Sequence, residues 1–367
     1  MSRPVRYIAI ALVVVLVAAA VWGIAVWSSR YDADTVDPGL YIKDKKVAEP
    51  GTMLTIGAYE VPFDEYRHYY LTLKASFEVY YGSSLWDDDP DGDKALILQD
   101  AVEAELVNLY AWLAIAAEYD ITLSEEDLAE IQDTLQQQKD EYGDGFDAQL
   151  AAMFFTSEEA YLQVTEKQKL SEKAQTEYRE MLLAQHEEEI VEEADAEFAA
   201  NMISAKHILI MFNDEHDHEE EDHDHDAAVA EAEAAALARI NEILWQIQAS
   251  ADPLHTFDEM MVTFSEDTGL ATSPGGYTFG EGEMVDEFYQ AALALEEGQI
   301  SQPVRTDYGY HILLRLPLSE EAIAENRATV LDTEIGAMVD EKLAEVTETL
   351  PVVGGEYYAG LRVEDIR

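Results

Sequence analysis

The sequence contains no cysteine. That excludes disulfides, thiolate metal sites and thiol nucleophiles, and it leaves the redox compartment undetermined. Cations are scarce too: 22 Lys and Arg stand against 77 Asp and Glu, a formal net charge of −55 over 367 residues. Phosphate contacts need clustered Lys and Arg, so no nucleic-acid partner is expected. The same charge keeps the chain soluble and opposes self-association. It says nothing of fold, and a solvated surface is its plainest reading. Apolar residues make up 48% of the chain, enough to bury a sizeable core in two or three domains.

Long apolar runs are few, and one stands out. Tyr7–Trp27 carries no charge and follows Arg3 and Arg6. At ~1.5 Å per residue it can cross a hydrocarbon core of ~30 Å. Arg30, Asp32, Asp34 and Asp37 follow it. The cations on its N-terminal side place that end in the cytoplasm and the rest of the chain outside. An uncleaved signal anchor over residues 1–30 is expected, in preference to a secretory signal cleaved after Ala25, whose apolar region would span only ~7–15 residues. Without cysteine there can be no lipoprotein anchor. The expected location is therefore the cell membrane, single-pass, with the bulk of the chain on the extracellular side.

A polar linker is expected over residues 31–51, with turn signals at Pro38-Gly39 and Pro50-Gly51. Residues 52–200 read as a helical domain that opens on a short strand at Met53–Gly57. Phe63, Tyr66, Tyr69, Tyr70, Leu73 and Phe77 then recur at helical spacing after Pro62. These aromatics have two readings, a packed core or a hydrophobic cradle for unfolded chains. Asp87–Asp93 is an acidic loop; Leu98 stands where a calcium loop would need its distal Glu, so it is read as solvated. Lys94–Tyr119 reads as a long helix, and Ser124–Asp127 as a capping box for the next. Residues 318–367 read as a C-terminal helix packing back on the helical domain.

Between these helices, residues 201–317 carry five pieces in order. Ser204–Ile210 is an alternating strand, and Ala227–Ala249 a helix. Phe257–Asp267 is a helix that ends at an acidic turn. Gly275–Phe288 is a glycine-rich loop that feeds a helix through Leu295. Gly298–Arg315 is two strands around Tyr308-Gly309. An insertion, Asp214–Asp226, is low-complexity and reads as a disordered loop. Its His216, His218, His223 and His225 are weak metal candidates, since imidazole with carboxylate suits Zn²⁺ or Ni²⁺.

These pieces resemble, in order and spacing, the parvulin family of peptidyl-prolyl cis/trans isomerases, over about a third of the chain. The N-terminal Ile-Gly…Val-Pro-x-x-Glu-Tyr-x-x-Tyr-Tyr pattern is similar to the chaperone module of the PrsA/SurA group of exported foldases. The resemblance implies an α+β fold: a four-stranded antiparallel sheet with four helices, inserted in a mainly helical chaperone-like body, plus the N-terminal transmembrane helix. It implies that His207 and His311 pair on adjacent central strands, with Asp267 and Thr306 beside them; the two histidines are expected to orient the groove through a shared hydrogen bond and not to shuttle protons. Met284 and Phe288 would hold the proline ring, with Phe279 as a wall. The glycine loop is two residues shorter than in many parvulins, which makes Thr278 the nearest counterpart of the usual pocket leucine.

Such a site needs little chemistry. Rotation about X–Pro faces a resonance barrier of ~18–20 kcal/mol, and no bond has to break. No cofactor is therefore expected. The expected partners are unfolded or proline-containing exported polypeptides and the cytoplasmic membrane. A second reading keeps the same domain as a poorly active scaffold in a holdase chaperone. The acidic insertion lies where phosphate-selective parvulins carry basic residues, so a phosphorylated substrate should be repelled.

Overall fold

The computed structural model describes residues 38–87, 92–212 and 225–367. The expected signal anchor, the middle of the acidic loop, and the candidates His216, His218 and His223 lie outside the described residues. His225 is described only as the first backbone position of a helix.

In chain order the elements are β1 (Tyr41–Ile42), β2 (Lys45–Lys46), β3 (Thr52–Ile56), β4 (Tyr59–Pro62), α1 (Phe63–Tyr81), α2 (Asp93–Glu118), α3 (Glu125–Tyr142), α4 (Phe146–Ala152) and α5 (Glu158–Asn201). They continue with β5 (Ile203–Met211), α6 (His225–Ala249), α7 (Pro253–Phe264), β6 (Tyr277–Phe279), α8 (Asp286–Leu293), β7 (Val304–Arg305), β8 (Gly309–Leu316), α9 (Glu320–Glu348) and β9 (Val352–Gly354). The chain divides into two compact units. The first takes the residues up to Ala184 with Ile335–Arg367, and the second is Gln185–Glu334. Among the described residues, no helix is long and apolar enough to cross a membrane.

The first unit is mainly helical around a small sheet, β4-β3-β9. Pro62 starts α1, where its fixed φ and missing N–H cost nothing, and Asp64 and Glu65 face the positive end of the helix dipole. The α1 aromatics are core residues. Phe63, Tyr66, Tyr69, Tyr70 and Leu73 are buried against Leu98, Val102, Leu106 and Phe154. The cradle reading of these side chains is thereby corrected: at this spacing one helix face is apolar, and it is the face that packs. Ser124 forms the expected capping box, its Oγ accepting the Asp127 N–H while Asp127 accepts the Ser124 N–H.

Charge is buried in this core as well. Arg67 is fully buried, its Nε donating to the Arg367 carbonyl at 2.7 Å and its Nη1 to the Phe154 carbonyl at 2.6 Å. Glu65 accepts from the Tyr110 hydroxyl at 3.0 Å and from Lys167 at 2.5 Å. Part of the expected linker also belongs to the fold. β1 and β2 form a hairpin, Leu40 is fully buried, and it bridges to Ile366. Beyond α9, β9 joins β3, and Leu361 and Ile366 complete the core.

The second unit is an antiparallel four-stranded sheet of order β6-β5-β8-β7. Strand alternation splits it into two faces. Ile208, Ile210, Ile312 and Leu314 point to one, under α6 and α7, where they meet Ile240, Ile243, Ile247, Phe257 and Met261. Ile203, Ala205 and Leu313 point to the other, under α8, with Phe279, Phe288 and Ala292. At about 1.5–3 kcal/mol for each large apolar side chain buried, these two layers hold the sheet. Three α-helices cover it among the described residues; the fourth that the resemblance implies is a 3₁₀ turn, Thr268–Ala271.

Candidate active site

The site grows out of the register of β5 and β8. His207 lies opposite Leu313, and His311 opposite Leu209, so the two histidines are diagonal neighbours on one face. Their ring centroids are 5.2 Å apart. That face is the one under α8, and Phe288 stands edge-on to both rings, 5.2 Å from His207 and 5.4 Å from His311. Phe279 backs Phe288 at 5.6 Å, and Met284 packs half-buried beside them.

Thr306, buried at the end of β7, places its Oγ1 2.9 Å from His311 Nε2. The same oxygen accepts the Tyr308 N–H at 3.2 Å and lies 3.4 Å from the Gly309 carbonyl. One assignment serves all three contacts: Nε2–H of His311 donates to the hydroxyl, which donates to the carbonyl. His311 Nδ1 is then a bare acceptor. On the other side, Asp267 Oδ1 accepts the Gly269 N–H at 3.0 Å, and Oδ2 lies 3.6 Å from His207 Nε2.

No hydrogen bond joins the two imidazoles, and each Nδ1 is buried without a protein partner. The expected shared bond is therefore corrected. Each ring is held from its own side, His207 near Asp267 and His311 by Thr306, whose hydroxyl engages the His311 Nε2 that a shared bond could have used. Burial pushes His311 down to about 3, with His207 adding to the effect and Asp267 opposing it. Burial also lowers His207, again against the pull of Asp267. Both rings are neutral near pH 7.

Thr278 is not brought to the groove. It pairs with Ser204 across β6 and β5, their hydroxyls 3.4 Å apart, on the face opposite the histidines. The residue that does enter is its neighbour Tyr277. Its ring stacks on His207 at 5.7 Å and 25°, and its hydroxyl donates to Asp267 Oδ2 at 2.7 Å. Burial, then Asp267, pushes this phenol up to about 12. Reading Gly275–Phe288 as loop missed it. The alternation Tyr277, Thr278, Phe279 carries the signal, once Phe279 is taken to face the pocket. Gly269 leaves space for it, since a Cβ there would come within 2.3 Å of the Tyr277 hydroxyl.

Residues 207–316 match the Rotamase family, the PPIC-type PPIASE domain. Over 69 residues the chain is 42% identical to the foldase protein PrsA of Geobacillus kaustophilus, which covers 18% of this chain and 25% of that protein. Over 79 residues it is 40% identical to the chaperone SurA of Burkholderia thailandensis, 21% of this chain and 16% of that protein. The chain thus spans a quarter or less of the length of these relatives. The crystal structure of PrsA from Bacillus subtilis is 18% identical over 82% of this chain and 92% of that one, with a TM-score of 0.27.

Proposed function

We propose that the whole chain, whose residues 207–316 match the PPIC-type PPIASE domain, is a foldase that accelerates X–Pro isomerisation in exported polypeptides outside the cytoplasmic membrane. The Tyr7–Trp27 run supports anchoring by a single N-terminal helix. The observation that carries the catalytic reading is the pair of neutral, buried histidines facing an apolar wall of Phe288 and Met284.

In this reading Met284 and Phe288 grip the proline ring, with Phe279 behind. Holding the ring while the preceding carbonyl turns, away from water, favours the less polar twisted amide over the planar one. His207, His311, Asp267 and Thr306 set the polarity of the groove floor. Fixed dipoles there stabilise charge that localises as amide resonance is lost. No proton has to move, which agrees with imidazoles that stay neutral near pH 7.

A chaperone contribution from the first unit has its own support. Val79, Tyr80 and Tyr81 in the last turn of α1, and Leu96 and Ile97 at the start of α2, are large apolar side chains left exposed. They suit a surface that holds unfolded segments without sequence selectivity.

The test is a proline-limited refolding reaction. The full chain at catalytic concentration should speed the slow phase. Met284→Ala with Phe288→Ala should remove that acceleration while circular dichroism still shows a folded protein. Wild-type acceleration by the double variant would break the pocket assignment.

A further inference from the structure

We propose that Tyr277 is a positioning residue of the isomerase groove: its hydroxyl aims the Asp267 carboxylate at His207 and its ring holds that imidazole in plane. The inference rests on the isomerase reading but names a residue outside the expected set.

Three observations carry it. First, the carboxylate of Asp267 is held at both oxygens. Oδ1 takes the Gly269 N–H at 3.0 Å, and Oδ2 takes the Tyr277 hydroxyl at 2.7 Å, which leaves Oδ2 directed at His207 Nε2 at 3.6 Å. Second, Tyr277 touches His207 directly, nearly parallel to it at 25°, while Phe288 stands edge-on at 86°. The imidazole thus has one aromatic ring nearly parallel to it and another edge-on. Third, the backbone is arranged for this side chain. Gly269 has no Cβ to displace the hydroxyl. Gly276, at φ +98°, passes so close to the Ala205 carbonyl that a Cβ would sit 2.7 Å from it. Only glycine takes both that φ and that approach, and the strand it leads into brings Tyr277 opposite Ala205, beside His207.

The electrostatic consequence has a sign. A donor on Oδ2 spreads the carboxylate charge and weakens its pull on a proton at His207. With the donor removed, the full charge faces Nε2, and the imidazolium becomes easier to form. Tyr277 therefore helps to keep His207 neutral, in concert with burial.

The experiment uses the full chain with histidine labelled with ¹⁵N, comparing wild type, Tyr277→Phe, Asp267→Asn and the double variant. The phenylalanine keeps the stacked ring and removes only the hydroxyl. It should raise the midpoint of the His207 titration and lower kcat for an X–Pro peptide by about tenfold, the loss of one hydrogen bond to a charged group, with KM little changed. In the Asp267→Asn background the same substitution should have little further effect, because the carboxylate it acts through is gone. Should Tyr277→Phe fail to fold, Gly269→Ala pushes the hydroxyl away while keeping the ring, and it should give the same rise and the same loss. An unchanged His207 titration in a folded variant, or losses that simply add in the double variant, would overturn the proposal. Absence of isomerase activity in the wild-type chain would instead count against the isomerase reading, and the His207 titration would still decide the role of Tyr277.

Discussion

In the first unit His68 stacks on Phe155 at 4.2 Å, and its Nδ1–H donates to the Met153 carbonyl at 3.0 Å. In the second unit His207 and His311 are largely buried too, but each has an Nδ1 that no protein group meets. Both settings push the imidazole down, by burial above all: His68 to about 4 and His311 to about 3. What separates them is what the polar atoms are for. His68 and Arg67 spend their donors on carbonyls of their own core and so fix its shape. The pair in the second unit leaves each Nδ1 buried without such a partner, with Phe288 edge-on to both rings. A buried polar atom without a partner asks for an explanation, and the proposed isomerase site would supply one for this pair.

Arg67 is the buried polar group on which the first unit depends most. Arg67→Met leaves the Phe154 and Arg367 carbonyls without this donor in a closed core, and should cost the first unit about 3–5 kcal/mol. Urea unfolding would show it. Isomerase turnover by the protein that remains folded should be unchanged; a comparable loss of turnover would mean that the two sets of buried groups are not separate in purpose.

Acid should weaken both units. For His68 and His311 the folded-state value lies below the ordinary 6.5, so as pH falls the unfolded chain takes up the proton first. Stability is then full above about pH 6.5 and falls below it, until about pH 4 for His68 and about pH 3 for His311. The slope is about 1.4 kcal/mol per pH unit for each histidine. Unfolding midpoints between pH 7 and 5 should therefore fall in both units, and His68→Gln should flatten the fall in the first unit only. The smallest effect expected is at the capping box. Ser124→Ala should cost about 1 kcal/mol of first-unit stability and nothing in turnover.

Much of this was legible in the sequence because it rests on local rules. The capping box at Ser124 needs only the spacing to Asp127. The strands that carry His207 and His311 were legible as strands, but the pairing of the two histidines on one face came from the resemblance to the parvulins. What was not legible depends on parity or on distant partners. Thr278 and Tyr277 differ by one residue, and in a strand one residue is the choice between two faces; read as loop, the segment gave no parity to count. The α1 tyrosines present the same pattern whether a client or a core covers them, and only the packing of α2 and Phe154 decides. The contributions of Leu40, Leu361 and Ile366 come from opposite ends of the chain, and no short-range pattern links them.

The proposed groove floored by His207 and His311 would lower the barrier to X–Pro rotation through an apolar grip, with no proton transfer. The direct measurement is NMR exchange spectroscopy on a short, unphosphorylated X–Pro peptide, with catalytic amounts of the full chain, from pH 6 to 8. Uncatalysed exchange takes about 10–100 s. Expected are exchange fast enough to give cross-peaks, a rate nearly flat across that pH range, and loss of the cross-peaks with Met284→Ala plus Phe288→Ala. A rate that climbs or falls tenfold per pH unit, or undiminished exchange in the double variant, would contradict that mechanism.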